Sequence, residues 1–278
     1  MKISVIIVNH GAGEVLEKTL SALPAAAAGL DFETILVDNA EPPCPPKTEG
    51  VRFFTMPNLG FGAGCNHGAR QATGDILLFL NPDCCLSPGA LKAAADCLAQ
   101  NENAGLVGLR TLLPDGSLEP GCLRGSPTPA RALCYYLHLD RLFPRSRTCG
   151  GYHMTWLDPT VTCETEAVSG SFMLLPRALF EELGGFDEDY FMYGEDLDLC
   201  LRVRQSGRRV LYSAEGSALH YHGSCGTNPR QTSAFYDSML LYYSKHLAAG
   251  SSRLTGALVT AGVKALRRRA MRKAAGND

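Results

Sequence analysis

Six carboxylates lie within twelve residues of this 278-residue chain, between Asp187 and Asp198. Aromatic residues precede the acidic pair Glu195 and Asp196, and apolar residues at helical spacing follow it. The pair is therefore predicted at a helix N-terminus, where the macrodipole and the unpaired backbone N–H groups favour ionised carboxylates. An ionised carboxylate there can take a proton from a substrate. The alternative is an acidic helix start that only complements the dipole.

Polar residues also follow two predicted strands near the start of the chain. Residues 3–8 form a mostly apolar, β-branched run, typical of a parallel strand buried on both faces, and residues 33–37 are predicted to form a second buried strand. Asn9 follows the first run, and Asp38 and Asn39 follow the second. Open α/β sheets bind ligands at the carboxyl ends of their strands, so these three residues are candidate ligand contacts. A local role in a helix cap or turn is the alternative for each.

A glycine-rich segment, 58–68, follows the third predicted strand at 51–55. Its glycines would let the backbone approach a ligand, and the helix expected after it would offer N–H groups to a phosphate. The segment lacks the Gly-Lys-Ser/Thr of a Walker A loop and the G-x-G-x-x-G spacing. Tight helix–sheet packing explains several of the glycines equally well.

A fourth predicted strand, 75–80, runs into an Asn-Pro-Asp turn. Pro82 ends the strand and leaves Asp83 at the same carboxyl edge as Asn9. A carboxylate there suits a hard divalent cation that also binds the phosphates of a substrate. A turn without any ligand is the alternative.

Taken together and in order, these motifs closely resemble family 2 glycosyltransferases, and within them the bacterial rhamnosyltransferase branch. The matching motifs lie at residues 4–9, 37–39, 58–62 with Asn66, 80–83, 185–202 and His220. The resemblance implies an α/β fold of the GT-A type, which is Rossmann-like with a mostly parallel central sheet flanked by helices. It also implies a nucleotide-sugar donor and a divalent cation, Mg or Mn.

The resemblance also assigns roles to individual positions. Asp38 corresponds to the aspartate that hydrogen-bonds the pyrimidine base, and Val8 and Asn9 to the residues that frame the base and its ribose. Asp83 corresponds to the last acid of the D-x-D metal motif. The first acid of that motif is replaced here by Asn81, which leaves fewer carboxylates to hold the ion.

The same comparison places the catalytic and acceptor residues. Asp196 corresponds to the general base, with Glu195 beside it. His220 corresponds to the histidine that can complete the metal site, and His222 would share its face in an extended segment. A structural role is the alternative for either histidine. The implied nucleotide-sugar site comprises Val8, Asn9, Asp38, Asn39, Asn58, Gly60, Gly64, Asn66, Asn81 and Asp83, and the implied acceptor side comprises Gly170, Tyr193 and Arg202.

The predicted organisation is one GT-A domain, 1–228, followed by C-terminal helices, 229–278. Within the domain, 1–110 would bind the nucleotide sugar, and 111–228 would bind the acceptor and carry catalysis. Between 121 and 166 the periodicity breaks down, and aromatic residues, among them the chain's only tryptophan, Trp156, alternate with arginines. Such a segment is often a functional loop, here one whose aromatics stack on a sugar or lipid of the acceptor. Plain packing on the sheet is the alternative.

The C-terminal region differs in its charge. Between Arg253 and Lys273 the chain has seven basic residues, no acidic residue and an apolar side that includes Leu254 and Leu258. This pattern is typical of an interfacial helix attracted to anionic lipid. A solvated helical tail is the alternative.

Composition narrows the class of protein. A net charge of −2 argues against wholesale nucleic-acid binding. The eleven cysteines include no C-x-x-C pair, which argues against a zinc ribbon or a thioredoxin-type motif and favours reduced cytosolic thiols. The N-terminal apolar run is too short for a signal peptide, and no uncharged stretch approaches the ~18 residues of a membrane span. We therefore expect a cytoplasmic protein, free or peripheral at the inner face of the cytoplasmic membrane.

The expected function is inverting transfer of a sugar from a nucleotide diphosphate to a cell-surface saccharide on a lipid carrier. The resemblance favours dTDP-rhamnose as donor, with a UDP-hexose as the alternative. A catalytically silent sugar- or partner-binding protein is the alternative class. The intact pair Glu195 and Asp196 favours activity, whereas Asn81 leaves the silent alternative open.

Overall fold

The computed structural model describes residues 1–221 and 229–275. Within these ranges, nine strands form one sheet in the order β3-β2-β1-β4-β8-β6-β9-β5, with β7 paired to β9. The strands are β1 (Lys2–Asn9), β2 (Asp31–Asp38), β3 (Val51–Thr55), β4 (Ile76–Leu80), β5 (Cys84–Leu86), β6 (Ala104–Leu112), β7 (Cys163–Thr165), β8 (Phe172–Pro176) and β9 (Arg209–His220).

Helices cover both faces of this sheet and continue beyond it. They are α1 (Glu14–Ala27), α2 (Phe61–Gln71), α3 (Ala90–Gln100), α4 (Pro129–Tyr136), α5 (Leu139–Leu142), α6 (Arg177–Glu182), α7 (Glu195–Gln205), α8 (Pro229–Tyr242) and α9 (Arg253–Ala275). A π-helical turn, Tyr243–Leu247, extends α8. No helix within the described ranges is long and apolar enough to cross a bilayer.

The first four long strands run parallel, as their mostly apolar sequences predicted. β1 pairs with β2 along its whole length and with β4 on its other side. The register sets Asn9 directly beside Asp38, because both residues end their strands. Apolar side chains of β1 divide between two buried clusters, one on each face of the sheet. The predicted α/β fold with a mostly parallel central sheet is confirmed.

The second half of the sheet contains antiparallel strands. β8 runs antiparallel to both β4 and β6, whereas β9 runs parallel to β6. β5 pairs antiparallel with β9, and its register sets Cys84 opposite His220. This pairing places His220 next to the turn that contains Asp83. The spacing of the two residues in the sequence did not by itself indicate this contact.

The glycine-rich segment is itself the helix α2, not a loop in front of one. A Cβ atom added to Gly64 would lie 2.8 Å from Val8 Cγ1, and one added to Gly68 would lie 2.5 Å from Ile6 Cγ2. Gly60, at φ 116°, precedes the helix, and a Cβ there would meet the carbonyl oxygen of Phe191 at 2.5 Å. Close packing of helix against sheet therefore accounts for Gly64 and Gly68, while Gly60 approaches the loop before α7, and ligand contact by Gly60 or Gly64 stays a prediction.

The segment between 121 and 166 has some regular structure, which its irregular sequence did not predict. It forms the short helices α4 and α5 and the strand β7. A small cluster of buried residues anchors it, and Trp156 packs against that cluster with its ring under the Arg147 guanidinium, 5.6 Å away. We call residues 121–166 the insert.

The C-terminal helices pack on the region around α7. Ser238 Oγ of α8 donates to the Met192 carbonyl at 2.9 Å, and Lys245 Nζ lies 2.5 Å from Asp187 Oδ2. α9 lies along α8, where Arg267 pairs with Asp237 at 2.9 Å. The domain boundary at 228 stays a prediction.

Candidate active site

Asp196 lies in the first turn of α7, as predicted, and three groups hold its carboxylate. Gly170 donates its backbone N–H to Oδ2 at 3.0 Å, and the Arg124 guanidinium pairs with the same oxygen. The Leu197 N–H donates to Oδ1 at 2.7 Å. A carboxylate oxygen has two acceptor positions, so Oδ1 keeps one for a substrate hydroxyl.

Arg124 comes from the insert, and no sequence motif predicted it. Its guanidinium is buried, and it also donates to the Val168 carbonyl at 2.7 Å. Burial opposes its charge, but the neighbouring Asp196 carboxylate outweighs burial and raises the pKa of Arg124. The arginine therefore stays charged beside the candidate base.

Glu195 behaves differently from its neighbour, and the expectation that the helix dipole keeps it ionised is wrong. Burial and the negative charge of Asp196 raise the pKa of Glu195 well above the usual range of a glutamate. Its Oε2 atom is buried and has no hydrogen-bond partner among the described residues. Burial thus favours the neutral form of Glu195, whereas the Asp196 carboxylate is held by a guanidinium and two backbone N–H groups.

The predicted nucleotide contacts Asn9, Asp38 and Asn39 are buried together at the ends of β1 and β2. Asn9 Nδ2 donates to Asp38 Oδ2 at 2.6 Å, and the Ala40 N–H donates to Asp38 Oδ1 at 2.8 Å. The exposed His10, which was not predicted, has Nδ1 3.0 Å from Asn39 Oδ1. These contacts fix polar side chains at the carboxyl edge of the sheet, where a nucleotide was expected to bind.

Two other predicted site residues form internal contacts instead. Asn66 donates to the Phe186 carbonyl at 2.9 Å and to Glu188 at 2.8 Å, and accepts the Phe186 N–H at 2.9 Å. Arg202 donates to Asp198 at 2.7 Å and to two carbonyl oxygens of the turn before α7. Both side chains tie elements together, which the motif comparison could not distinguish from substrate contact.

His220 and Asp83 meet at the carboxyl edge of the sheet. His220 Nε2 lies 3.1 Å from Asp83 Oδ1, and Nδ1 lies 3.3 Å from Glu119 Oε1. Asn81 Nδ2 is 3.4 Å from Nε2 of the same ring. Burial lowers the pKa of His220, but hydrogen bonds to Asp83 and Glu119 outweigh it and raise this pKa to about 9. Sequence reasoning missed Glu119, and His222 lies outside the described residues.

The donor groups at this edge suit a divalent cation only in part. Two buried carboxylates flank one imidazole there, Asp83 on one side of the His220 ring and Glu119 on the other. Mg or Mn sites often use one or two protein carboxylates plus substrate phosphates. Among residues 1–221 and 229–275, no three His, Cys, Asp or Glu side chains form a group that could hold an ion by themselves. Such an ion would therefore depend on oxygens of the donor diphosphate.

Aromatic side chains lie on two sides of Asp196. Tyr193, in a left-handed conformation at φ 69°, packs edge-on against Phe235 with ring centroids 5.5 Å apart. Tyr152 interacts with Arg124 and stacks on Tyr135 of α4 at 5.3 Å. Tyr152 is thus an aromatic residue of the insert that interacts with the groups around Asp196, while Trp156 packs on the cluster that anchors the insert, and its acceptor role stays a prediction.

The sequence from 4 to 156 matches the protein family described as glycosyl transferase family 2. The chain belongs to this family. The glycosyltransferase is 30% identical over 243 residues to the N-acetylglucosaminyl-diphospho-decaprenol L-rhamnosyltransferase of Mycobacterium tuberculosis, covering 81% of this chain and 78% of that protein. It is 27% identical to the rhamnosyltransferase WbbL of Escherichia coli K12, covering 78% and 82%. The resemblance to the rhamnosyltransferase branch is thereby confirmed.

Solved structures support the fold of the glycosyltransferase. A mannosyltransferase from Pyrobaculum calidifontis, solved with GDP-Man and Mn2+, superposes with a TM-score of 0.55 over 99% of this chain and 73% of that one, at 16% identity. A Staphylococcus aureus TarS structure with UDP-GlcNAc gives a TM-score of 0.56, covering 95% of this chain and 71% of that one, also at 16% identity. The GT-A fold and the enzyme class, glycosyltransferase, are confirmed.

Proposed function

We propose that this glycosyltransferase moves rhamnose from dTDP-rhamnose to a saccharide on a lipid carrier, with inversion at the anomeric carbon. The observation that carries the proposal is the environment of Asp196. Its carboxylate is fixed by Gly170 and Arg124 through Oδ2, while Oδ1 retains an acceptor position. That arrangement suits a general base that removes the proton from an attacking hydroxyl.

The donor and acceptor are supported by the names of the relatives. Two of them are named rhamnosyltransferases, and one of these names specifies an N-acetylglucosaminyl-diphospho-decaprenol substrate. A UDP-sugar is the second candidate, because a structure with the same fold was solved with UDP-GlcNAc.

The transfer would proceed by a single displacement. The acceptor hydroxyl oxygen forms a bond to the anomeric carbon as the bond from that carbon to the diphosphate oxygen breaks. The diphosphate leaves with the bonding electrons, and the hydroxyl proton passes to Asp196 Oδ1. Arg124 and Gly170 keep the carboxylate in place while its charge is neutralised. Because attack and departure occur on opposite faces, the configuration inverts.

Asp83 would hold the divalent cation on the donor side, and His220 would join it as a neutral imidazole, because binding of the ion displaces the proton of the ring. Such an ion, when bound, neutralises negative charge that develops on the leaving diphosphate. Asp38 and Asn9, at the neighbouring strand ends, would contact the base and ribose.

The C-terminal helix α9 supports a further part of the proposal, a peripheral membrane contact. Leu254 and Leu258 are 70% and 65% exposed, on the side of α9 that does not pack against α8. Basic residues, including Lys264, Arg268 and Arg269, are exposed along the same helix. An apolar strip with basic neighbours suits an anionic bilayer.

A donor screen tests the proposal. Purified enzyme is given dTDP-, UDP- and GDP-sugars with a soluble N-acetylglucosaminyl acceptor, with and without Mg or Mn, and the anomeric configuration of the product is read by NMR. We expect turnover with dTDP-rhamnose, dependence on the ion and an inverted product. Turnover with UDP-hexoses alone would refute dTDP-rhamnose as the donor in favour of a UDP-sugar. A product with retained anomeric configuration would refute the single displacement.

A further inference from the structure

The insert exposes an apolar surface that the fold does not use. On α4 and α5 and just beyond them, Leu133, Leu137, Leu142 and Phe143 are 59%, 57%, 70% and 57% exposed. Leu133 and Leu137 are four residues apart and so lie on one side of α4. Four large apolar side chains exposed so close together in the chain are unusual for a surface in contact only with water. We call residues 133–147 the hairpin surface.

Positive charge accompanies these apolar side chains. Arg141, Arg145 and Arg147 are exposed, and none of them forms an ion pair with another residue in the described part of the chain. Asp140 is the only acidic residue between 129 and 157. Exposed apolar side chains interleaved with arginines match an anionic bilayer, where the rings and aliphatic chains enter the headgroup boundary and the guanidinium groups meet phosphates.

The inner side of the same hairpin reaches the candidate base. Tyr135 of α4 packs against Tyr152 with ring centroids 5.3 Å apart. Tyr152 interacts with Arg124, which pairs with Asp196. Tyr136 Oη also lies 3.7 Å from Met239 Sδ of α8, which fixes α4 against the body of the enzyme. The hairpin surface is therefore coupled to Asp196 through a short chain of packed side chains.

We propose that the hairpin surface docks on an anionic lipid bilayer and thereby orients Asp196 toward the saccharide of a lipid-linked acceptor. This inference rests on the proposed lipid-linked acceptor, whose lipid stays in the bilayer while its sugar has to reach Asp196. α9 would mainly add attachment, because its contacts are with α8. The hairpin surface is instead connected to Asp196 through Tyr135, Tyr152 and Arg124. The two surfaces make separable contributions, one to orientation and one to attachment.

The two surfaces allow a matched comparison of variants. L142S/F143S removes two large apolar side chains from the hairpin surface, and L254S/L258S removes two of similar exposure from α9. All four residues are exposed, so both variants are expected to keep the wild-type fold, which circular dichroism checks. Sedimentation uses vesicles of phosphatidylcholine with and without phosphatidylglycerol. Each variant should lower partitioning onto the anionic vesicles by about tenfold.

Turnover then separates orientation from attachment. At lipid concentrations that sediment all of either variant, we expect L142S/F143S to turn over a vesicle-embedded lipid-linked acceptor about tenfold more slowly than wild type, and L254S/L258S to match wild type. Both variants should match wild type on a short soluble acceptor. Equal turnover of the two variants on the embedded acceptor would overturn the orienting role. A wild-type enzyme that does not sediment with anionic vesicles would overturn the docking itself, while turnover on the soluble acceptor would leave the proposed function standing.

The charge contribution is tested separately. R141Q/R145Q should reduce the preference for phosphatidylglycerol over phosphatidylcholine vesicles at low salt by about tenfold, since it removes two unpaired positive charges while the basic residues of α9 remain. An unchanged preference would overturn the contact between these two arginines and anionic lipid.

Discussion

The proposed donor side and the proposed acceptor side of the candidate active site hold their polar residues by different means. On the donor side, Asn9 and Asp38 end adjacent parallel strands, and the strand register itself brings them together. On the acceptor side, Asp196 is held by Arg124 and Gly170, which come from two loops distant in the chain. A change on the donor side should therefore mainly affect binding of the nucleotide, and a change on the acceptor side should mainly affect the rate of transfer.

The charges on the two sides also differ. The proposed donor side sets the His220 imidazole between two acids, Asp83 and Glu119. The acceptor side balances Asp196 against Arg124 and leaves Glu195 close by without a cation of its own. Each of the following predictions compares the loss of one of these contacts with a matched change.

The largest effect is expected for Asp196→Asn. Loss of a positioned general base should lower turnover by about a hundredfold or more. Donor affinity, measured by titration calorimetry, should stay within about twofold, because the base acts on the acceptor. Near-wild-type turnover by the folded variant would remove Asp196 from the mechanism.

Glu195→Gln is the matched control for that variant. An amide resembles the neutral carboxyl group that burial favours at Glu195. Turnover should therefore fall by less than about tenfold, since the hydrogen-bonding shape is kept. A loss as large as that of Asp196→Asn would show that both carboxylates take part in proton transfer.

Arg124→Met should have the next largest effect. The variant leaves a buried carboxylate without its cation, and we expect kcat to fall by about tenfold or more. Arg124→Lys should restore part of kcat, because it returns a positive charge to the carboxylate of Asp196, and a purely structural role of Arg124 would not require that charge.

These residues also mark the limit of what the sequence could predict. Asn9, Asp38 and Asp83 were found because each follows a buried strand, and strand ends converge at one edge of a parallel sheet. Arg124 and Glu119 were missed because they lie in or just before the segment where the periodicity fails, and Tyr152 was included only as one of several aromatic residues of that segment. Their roles depend on contacts across the fold, such as the Arg124 and Asp196 pair, separated by 72 residues in sequence.

The glycine-rich helix shows a second limit: its residues were recognised as a motif, but their packing contacts could not be predicted from the sequence. Gly64 and Asn66 fit the family motif, yet the structure uses Gly64 to approach Val8 and Asn66 to hold the Phe186 backbone. A motif of ligand-binding type and a close-packed helix require the same small residues, so composition alone could not separate them.

Asp83→Ala tests the donor side. It removes the carboxylate at the strand edge that suits the ion, so the affinity for the donor in the presence of Mn should fall by about tenfold or more. Chelator should then have no further effect. Glu119→Gln, which changes the other neighbour of His220, should weaken donor binding less. Identical donor affinities with and without chelator, in wild type and variant, would remove the ion from the proposal.

The smallest effect concerns the stability of the insert. Glu166 accepts two hydrogen bonds from Arg131 at 2.8 Å and one from the Ser126 N–H at 2.8 Å. Burial raises the pKa of Glu166, but these bonds outweigh burial and lower it to about 2, from 4.5 for a free glutamate. Because the folded state holds the proton less tightly than the unfolded state, the stabilisation is complete above pH 4.5 and is lost as pH falls toward 2.

Glu166→Gln should therefore lower the free energy of unfolding by about 1–2 kcal/mol at pH 7, a value reduced for the partial exposure of the side chain. The difference from wild type should shrink between pH 4.5 and pH 2, as followed by urea denaturation. Glu164→Gln is the matched control two residues away, since its ion pair with Arg209 at 2.9 Å is exposed. It should cost less than about 0.5 kcal/mol at any pH. If both variants lose equal stability at pH 7, the Arg131 contact does not anchor the insert. The packed side chains that connect the hairpin surface to Asp196 would then belong to a segment that this contact does not hold in place.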